Sequence, residues 1–397
     1  MPLVFVHGVS VRRDADYEKV VSRRDSLFRR FALKQLVANW ETFEIKNPYW
    51  GDDAAQFRWH HASLPKGDEE ILGGVDGEMA LMLAESGVKP SAADRAVIET
   101  ARKAGLTAAV DLLWSIGSHT GKEDLSQELA KVAYEALVYA RANPNPSWLG
   151  HVTDDQEFVT ALKREIRPSP PSQSTDKPQA KREVLGAAEV WDSLREAAGR
   201  IATAVPAAMS SVALSISRTG LHRAIATFVG DVMVYLHQRD KEGNSAAILK
   251  RVMADLDAAD EIRKRKNEPM IIVCHSMGGN IIYDILTEFR KDLVVDMLVT
   301  VGSQPPLLEE LKLLAASHMD IPSTSVPLAP APSATKKWIN IFDTNDILSF
   351  AASRVFEKVK DYQYSTGQSA FHAHGSYFNR PSFQERIGAR IEEAWSK

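Results

Sequence analysis

The segment from Met270 to Leu286 constrains the fold more than any other part of the chain. Met270-Ile271-Ile272-Val273-Cys274 is a short apolar run with β-branched residues, suited to a strand buried on both faces. It passes through His275-Ser276-Met277-Gly278-Gly279 into Asn280-Ile281-Ile282-Tyr283-Asp284-Ile285-Leu286, which reads as a helix. A strand turning sharply into a helix is the building unit of a parallel sheet, because parallel neighbours need a crossover connection.

The alternation recurs on either side. Leu3–Val6, ending in His7-Gly8, predicts a first strand, and Tyr17–Trp40 a helix with Val20, Val21, Leu27, Phe28, Phe31, Leu36 and Trp40 at helical spacing. A second strand is expected at Phe57–Ala62, after the loop Asn47–Asp52. Later come a helix at Asn244–Lys266, strands at Leu293–Val301, Lys337–Phe342 and Tyr362–Ser365, and a last helix at Ser382–Trp395. A Pro/Ala/Ser-rich stretch, Ile321–Thr335, separates two of these strands. The expected class is α/β, with a mostly parallel central sheet of about six strands and helices on both faces.

Residues 66–243 read instead as helices, at Ala92–Ile116, Leu125–Ala142, Asp155–Ile166, Val184–Ala204 and His222–His237. Residues 167–182, rich in Pro, Ser, Gln and Lys, read as a flexible linker within them. This gives an α/β core domain from 1–65 and 244–397, with 66–243 inserted as a helical cap or lid over the sheet's carboxyl edge.

With 397 residues and 44% hydrophobic content the chain can bury a large core. A net charge of −4 and short, offset basic runs make no electrostatic case for nucleic acid. Cys274 is the one cysteine, so no intramolecular disulfide forms, and a cytoplasmic location is expected. Met1–Gly8 lacks the basic start of a signal peptide and reads as a strand. The least charged stretch, Ile201–Ser217, is broken by Pro206 and serines, which argues against a membrane span. Val205–Leu221, rich in Ala, Val, Met and Leu, fits either a helix buried in the cap or a surface for peripheral contact with membrane or acyl chains.

The chemistry centres on Ser276. A serine at the apex of a strand–turn–helix needs small residues two places before and after it. Gly278 meets the second requirement, and Cys274 stands where glycine is usual. The helix N-terminus behind Ser276 favours developing negative charge. A phosphate-binding G-x-G-x-x-G spacing is not present. His60-His61 and His372-x-His374 lack the spacing of a specific metal motif, so neither metal nor cofactor is expected.

Four segments in order resemble the α/β-hydrolase superfamily, particularly its lipase- and esterase-like serine hydrolases: Leu3–Val9, Cys274–Gly279, Val299–Ser303, and the Asp and His turns near the C-terminus. The resemblance covers the first 65 residues and those from about 244 onward, and no part of the middle. It implies a triad in the chain order Ser276, Asp346, His374, with Asp343 a rival acid and His372 a surface or packing histidine. It also implies oxyanion-hole donors at Met277 and Val9. His7, Gly8, His275 and Tyr235 become candidates for the substrate cleft, His7 having the further reading of a turn-stabilising side chain. Phe228–Leu236 is similar to a Gly-Asp-Val…Tyr-Leu stretch of some bacterial esterase-like hydrolases, which would turn Asp231 and Tyr235 toward that cleft, core packing being the alternative. Tyr49–Asp52 reads as cleft lining or as structure. The implied activity is hydrolysis of a small-molecule or lipid carboxylic ester through an acyl-serine. A peptidase, thioesterase or acyltransferase would use the same triad. Two other classes stay open: a pseudo-hydrolase acting as a binding or regulatory module, and a partner-controlled lipase-type effector in bacterial defence or competition.

Overall fold

The structure is a computed structural model that describes residues 2–34, 36–61, 95–117, 126–166, 189–199, 211–368 and 370–395. In chain order the elements are β1 (Leu3–Val6), α1 (Tyr17–Phe28), β2 (Ile45–Lys46), α2 (Ala96–Ala104), α3 (Leu106–Gly117), α4 (Ser126–Ala142) and α5 (Asp155–Glu165). They continue with α6 (Ser211–Glu242), α7 (Ala247–Lys266), β3 (Ile271–His275), α8 (Met277–Asp284), β4 (Met297–Val301) and α9 (Pro305–Glu310). β5 (Trp338–Phe342), β6 (Val359–Gln363), α10 (Ala370–Ser376) and α11 (Pro381–Trp395) complete the series. A further helical run occupies 189–199.

The chain divides into two compact units. The first comprises Met1–Tyr17, Thr42–Pro65 and Gly220–Gly375. It holds one six-stranded sheet in the order β2-β1-β3-β4-β5-β6, parallel throughout, which makes the class α/β as expected. Every residue of β1 and β4, and all of β3 but its last, is buried, as continuous apolar runs on a covered parallel sheet require. One row of the register runs Val6, Cys274, Thr300, Asn340, Asp361 across five strands. The chain moves outward from β1 to β2 and returns on the other side of β1 as β3. Connections leave the carboxyl ends of β1 and β3 in opposite directions, and such a switch point opens a crevice there.

The second unit comprises Glu18–Glu41, Lys66–Thr219 and Ser376–Lys397. Its interior interleaves Ala101, Ala109, Ala133, Ala136 and Ala140 with Trp114, Phe158 and Trp191. Small residues let its helices approach, and the aromatic rings fill what remains.

These bounds differ from the sequence expectation at both ends. Glu18–Glu41 and Ser376–Lys397 group with the helical insertion because α11 packs closely on it. A Cβ at Gly388 would stand 2.6 Å from the Phe31 carbonyl oxygen, and the Ser382 hydroxyl donates to Asp111 at 2.6 Å. Conversely, α6 from Gly220 onward groups with the sheet, held by Asp231, Tyr235 and Arg239.

Three element predictions need correction. The second strand is Ile45–Lys46; Phe57–His61 is a turn, with His60 and His61 at φ of 49° and 62° and the His61 ring stacked on Phe57. Those angles are incompatible with a strand. The first helix ends at Phe28 in a π-turn over Arg29–Leu33. The helix predicted at Ala92–Ile116 is two, parted by Gly105 at φ 88°. Among the described residues no helix is long and apolar enough to cross a membrane. The linker reading of 167–182 and the side chains of Val205–Leu221 lie outside the described residues.

Candidate active site

Ser276 sits between the end of β3 and the first residue of α8, at φ 53° and ψ −128°. A non-glycine residue held there stores roughly 1–3 kcal/mol of strain, tolerated only where the surroundings fix it. They do so on both sides. The Ser276 N–H donates to the Val301 carbonyl of β4 (3.0 Å), and the Ser276 carbonyl accepts from Gly279 N–H (3.0 Å). A Cβ at Gly278 would lie 2.4 Å from the Val6 carbonyl oxygen, so only glycine lets α8 start this close to β1.

His374, on α10, meets the serine. Its Nε2 is 2.8 Å from Ser276 Oγ, and its Nδ1 lies 2.9 and 3.1 Å from the two oxygens of Asp346. A carboxylate only accepts, so Nδ1 carries the proton and Nε2 offers its lone pair to the serine hydroxyl. All three residues are buried, at 1%, 9% and 2% exposure for Ser276, His374 and Asp346.

The two aspartates after β5 have different tasks. Asp346 faces His374 and also accepts from Leu348 N–H (2.9 Å). Asp343 instead accepts from the Thr366 N–H and hydroxyl, both at 2.6 Å, and from Asn345 N–H (2.9 Å). It ties the loop after β6 to the loop that carries Asp346. Gln304 braces the same loop, its side-chain amide donating to the carbonyls of Leu348 (2.6 Å) and Gly302 (2.8 Å). Neither Thr366 nor Gln304 carries a sequence signal that could have singled it out. The side chain of His372 lies outside the described residues.

His275 supports His374 from behind. Its Nε2–H donates to the His374 carbonyl oxygen (2.8 Å), and the two rings are 4.8 Å apart. Burial first, and the neighbouring His374 second, push its pKa down to about 3, so it stays neutral. The bond supports His374 rather than a substrate.

The loop after β1 lies directly on Ser276. A Cβ at Gly8 would be 2.5 Å from the Ser276 Cβ. His7 stacks on Trp50 (4.8 Å), its Nε2 accepts from Trp50 N–H (3.1 Å), and its Nδ1–H donates to the Gly8 carbonyl (2.8 Å). Trp50 Nε1–H returns a bond to the His7 carbonyl (3.0 Å), so His7 acts as a turn-stabilising side chain. Val9 is half-buried in the same loop, and Met277 opens α8 fully buried. Arg13 N–H donates to the Tyr49 hydroxyl (2.6 Å), which donates to Asp52 (2.9 Å), giving Tyr49–Asp52 a structural role.

Tyr235 is a correction. It is 1% exposed, and its hydroxyl donates to Asp284 (2.8 Å), which pairs with Arg239 (2.7 Å). Burial pushes both the Tyr235 phenol and the Asp284 carboxyl up, with the Arg239 charge opposing each. Asp231 is likewise buried, not open to a cleft, and bonds Ser10, Arg12 and Ala55. Helical position alone does not distinguish a cleft-facing side chain from one bonded inside.

Among the described residues no group of three His, Cys, Asp or Glu side chains is arranged to hold a metal ion. Compared with known proteins, the chain matches no family model, no curated protein and no solved structure.

Proposed function

We propose that this protein is a serine hydrolase of α/β-hydrolase type that cleaves carboxylic esters through an acyl-serine intermediate. The observation that carries the reading is the unbroken relay from Asp346 through His374 to Ser276 Oγ, with links of 2.9 and 2.8 Å. The position of Ser276 at a strained strand-to-helix turn supports it further.

In the first half-reaction Ser276 Oγ attacks the ester carbonyl carbon as its proton passes to His374 Nε2. Asp346 stabilises the imidazolium and keeps its Nδ1 proton in place. The tetrahedral oxyanion collapses, the C–O bond to the alcohol breaks, and the leaving alkoxide takes the proton from His374. Water repeats the sequence on the acyl-serine and releases the acid. We assign the oxyanion-hole donors to the backbone N–H groups of Met277 and Val9, on the two sides of Ser276. Each such donor is worth roughly 3–4 kcal/mol in the transition state. The single thiol of the chain suits the reducing cytoplasm, where we place the reaction.

The test is labelling by a fluorophosphonate probe, together with turnover of p-nitrophenyl esters across acyl-chain lengths, with and without vesicles. Wild type should be labelled and turn over esters, and Ser276→Ala should do neither while keeping its thermal midpoint. An unlabelled wild type, with turnover identical in Ser276→Ala, ends the proposal.

A further inference from the structure

Asp231 is 0% exposed and lies on α6, more than two hundred residues along the chain from the loop it binds. Its carboxylate is surrounded by donors. Oδ2 accepts from Ser10 N–H (2.8 Å) and Arg12 Nη1 (3.2 Å); Oδ1 accepts from Arg12 Nη2 (2.6 Å) and Ala55 N–H (3.0 Å). Arg12 also donates to the carbonyls of Val11 (3.1 Å) and Ala55 (3.3 Å). One buried carboxylate therefore joins two loops and an arginine, leaving neither of its oxygens without donors.

The residues it binds adjoin the nucleophile. Ser10 has φ 62°, in the left-handed region that non-glycine residues seldom occupy without a fixing contact. The contact that fixes it is its own N–H on Asp231. Val9 lies between this clamped residue and Gly8, which rests against Ser276. The peptide group carrying Val9 N–H is thus held at Gly8 by the serine, and the next peptide group, which carries Ser10 N–H, is held by the carboxylate.

Resting on the hydrolase reading above, we propose that Asp231 is a positioning residue for the oxyanion hole. It touches neither substrate nor the reacting atoms. It fixes the backbone of residues 8–12, so that Val9 N–H faces the developing oxyanion before substrate arrives. Preorganised donors of this kind lose effect steeply when displaced by about an ångström.

The test uses the full-length protein and an isosteric change. Asp231→Asn keeps the shape, but its NH2 meets only donors. Its kcat on p-nitrophenyl esters should fall about tenfold or more, with KM within about twofold of wild type. Fluorophosphonate labelling should slow in step, because the phosphonyl oxygen occupies the same site. Amide exchange in the peptide spanning residues 7–13 should accelerate. Asp155→Ala, which weakens the other unit, controls for lost stability and should keep the wild-type kcat. Should Asp231→Asn fail to fold, Arg12→Met, at the partly exposed end of the pair, should show the same kcat-selective loss by a smaller factor. Wild-type kcat and exchange in Asp231→Asn, alongside normal labelling of wild type, would overturn this inference and leave the hydrolase reading standing. A kcat loss matched by the Asp155→Ala control would also overturn it. No labelling of wild type would overturn both.

Discussion

The two units bury charge in different places. In the helical unit Asp155 and Asp111 are 1% and 6% exposed, and each serves the first turn of another helix. Asp155 accepts from Val97 and Ile98 N–H at the start of α2, both at 3.0 Å. Asp111 accepts from Ser382 in α11, by its N–H at 3.3 Å and its hydroxyl at 2.6 Å. In the sheet unit Asp231 and Asp343 bind loops instead, and Asp346 binds His374, which bonds Ser276. A buried carboxylate at a helix start contributes stability; a buried carboxylate between loops sets positions. Substitutions of these carboxylates in the sheet unit should therefore change rate, and those in the helical unit should change melting.

The largest departure belongs to Asp346→Asn. It exchanges an acceptor for an amide that can impose the wrong His374 tautomer, and kcat should fall about 10⁴-fold with little loss of thermal midpoint. A drop under tenfold would erase the contrast with the helical unit. Next is Arg239→Met, which leaves Asp284 buried without its cation. Breaking such a pair costs about 3–5 kcal/mol, read from the urea midpoint, and adding Asp284→Asn should recover part of it. This variant sharpens the comparison, because it predicts a stability role for one charged pair inside the sheet unit. Asp155→Ala should lose about 1–2 kcal/mol while kcat at low temperature is unchanged. A fallen kcat there would show that the helical unit sets geometry as well.

At neutral pH the smallest effect belongs to His275, whose contribution shows as a pH slope. Folded His275 titrates near 3 against an ordinary 6.5, so below 6.5 the unfolded chain takes up a proton that the folded one refuses. The stability due to this neutral ring is complete above 6.5 and declines as pH falls toward 3, by at most about 1.4 kcal/mol per pH unit. Denaturant titrations of His275→Gln should show a flatter acid limb, the amide still offering a donor to the His374 carbonyl. An unchanged limb would remove His275 from the groups supporting the site.

Much of the sheet is readable because three of its strands are apolar runs, Trp338–Phe342 interrupted only by Asn340. Leu3–Val6, Met270–Cys274 and Trp338–Phe342 stand out without alignment or structure. β2 was not readable: two residues, Ile45 and Lys46, carry no periodicity, whereas Phe57–His61 offered aromatic residues that resemble a strand. Ser276 and His374 could be chosen from local context. Asp346 is preferred to Asp343 only for lying deeper in the loop after β5, and the folded loop turns Asp346 toward the imidazole and Asp343 toward Thr366. Asp231 and Tyr235 face inward rather than toward a cleft. Their partners, Ser10 and Arg12 for one and Asp284 for the other, are distant in sequence.

Cys274 gives the chain an intrinsic reporter. It is the only thiol among 397 residues, fully buried in β3 two places before Ser276, and burial pushes its pKa well above that of a free cysteine. A thiol reagent needs both access and thiolate, so modification in native buffer measures how often the central strand opens. Wild-type protein can thus be followed through binding or denaturation by its modification rate, without a mutation. For the same reason, a cysteine introduced on the surface would accept a dye or spin label at one site alone.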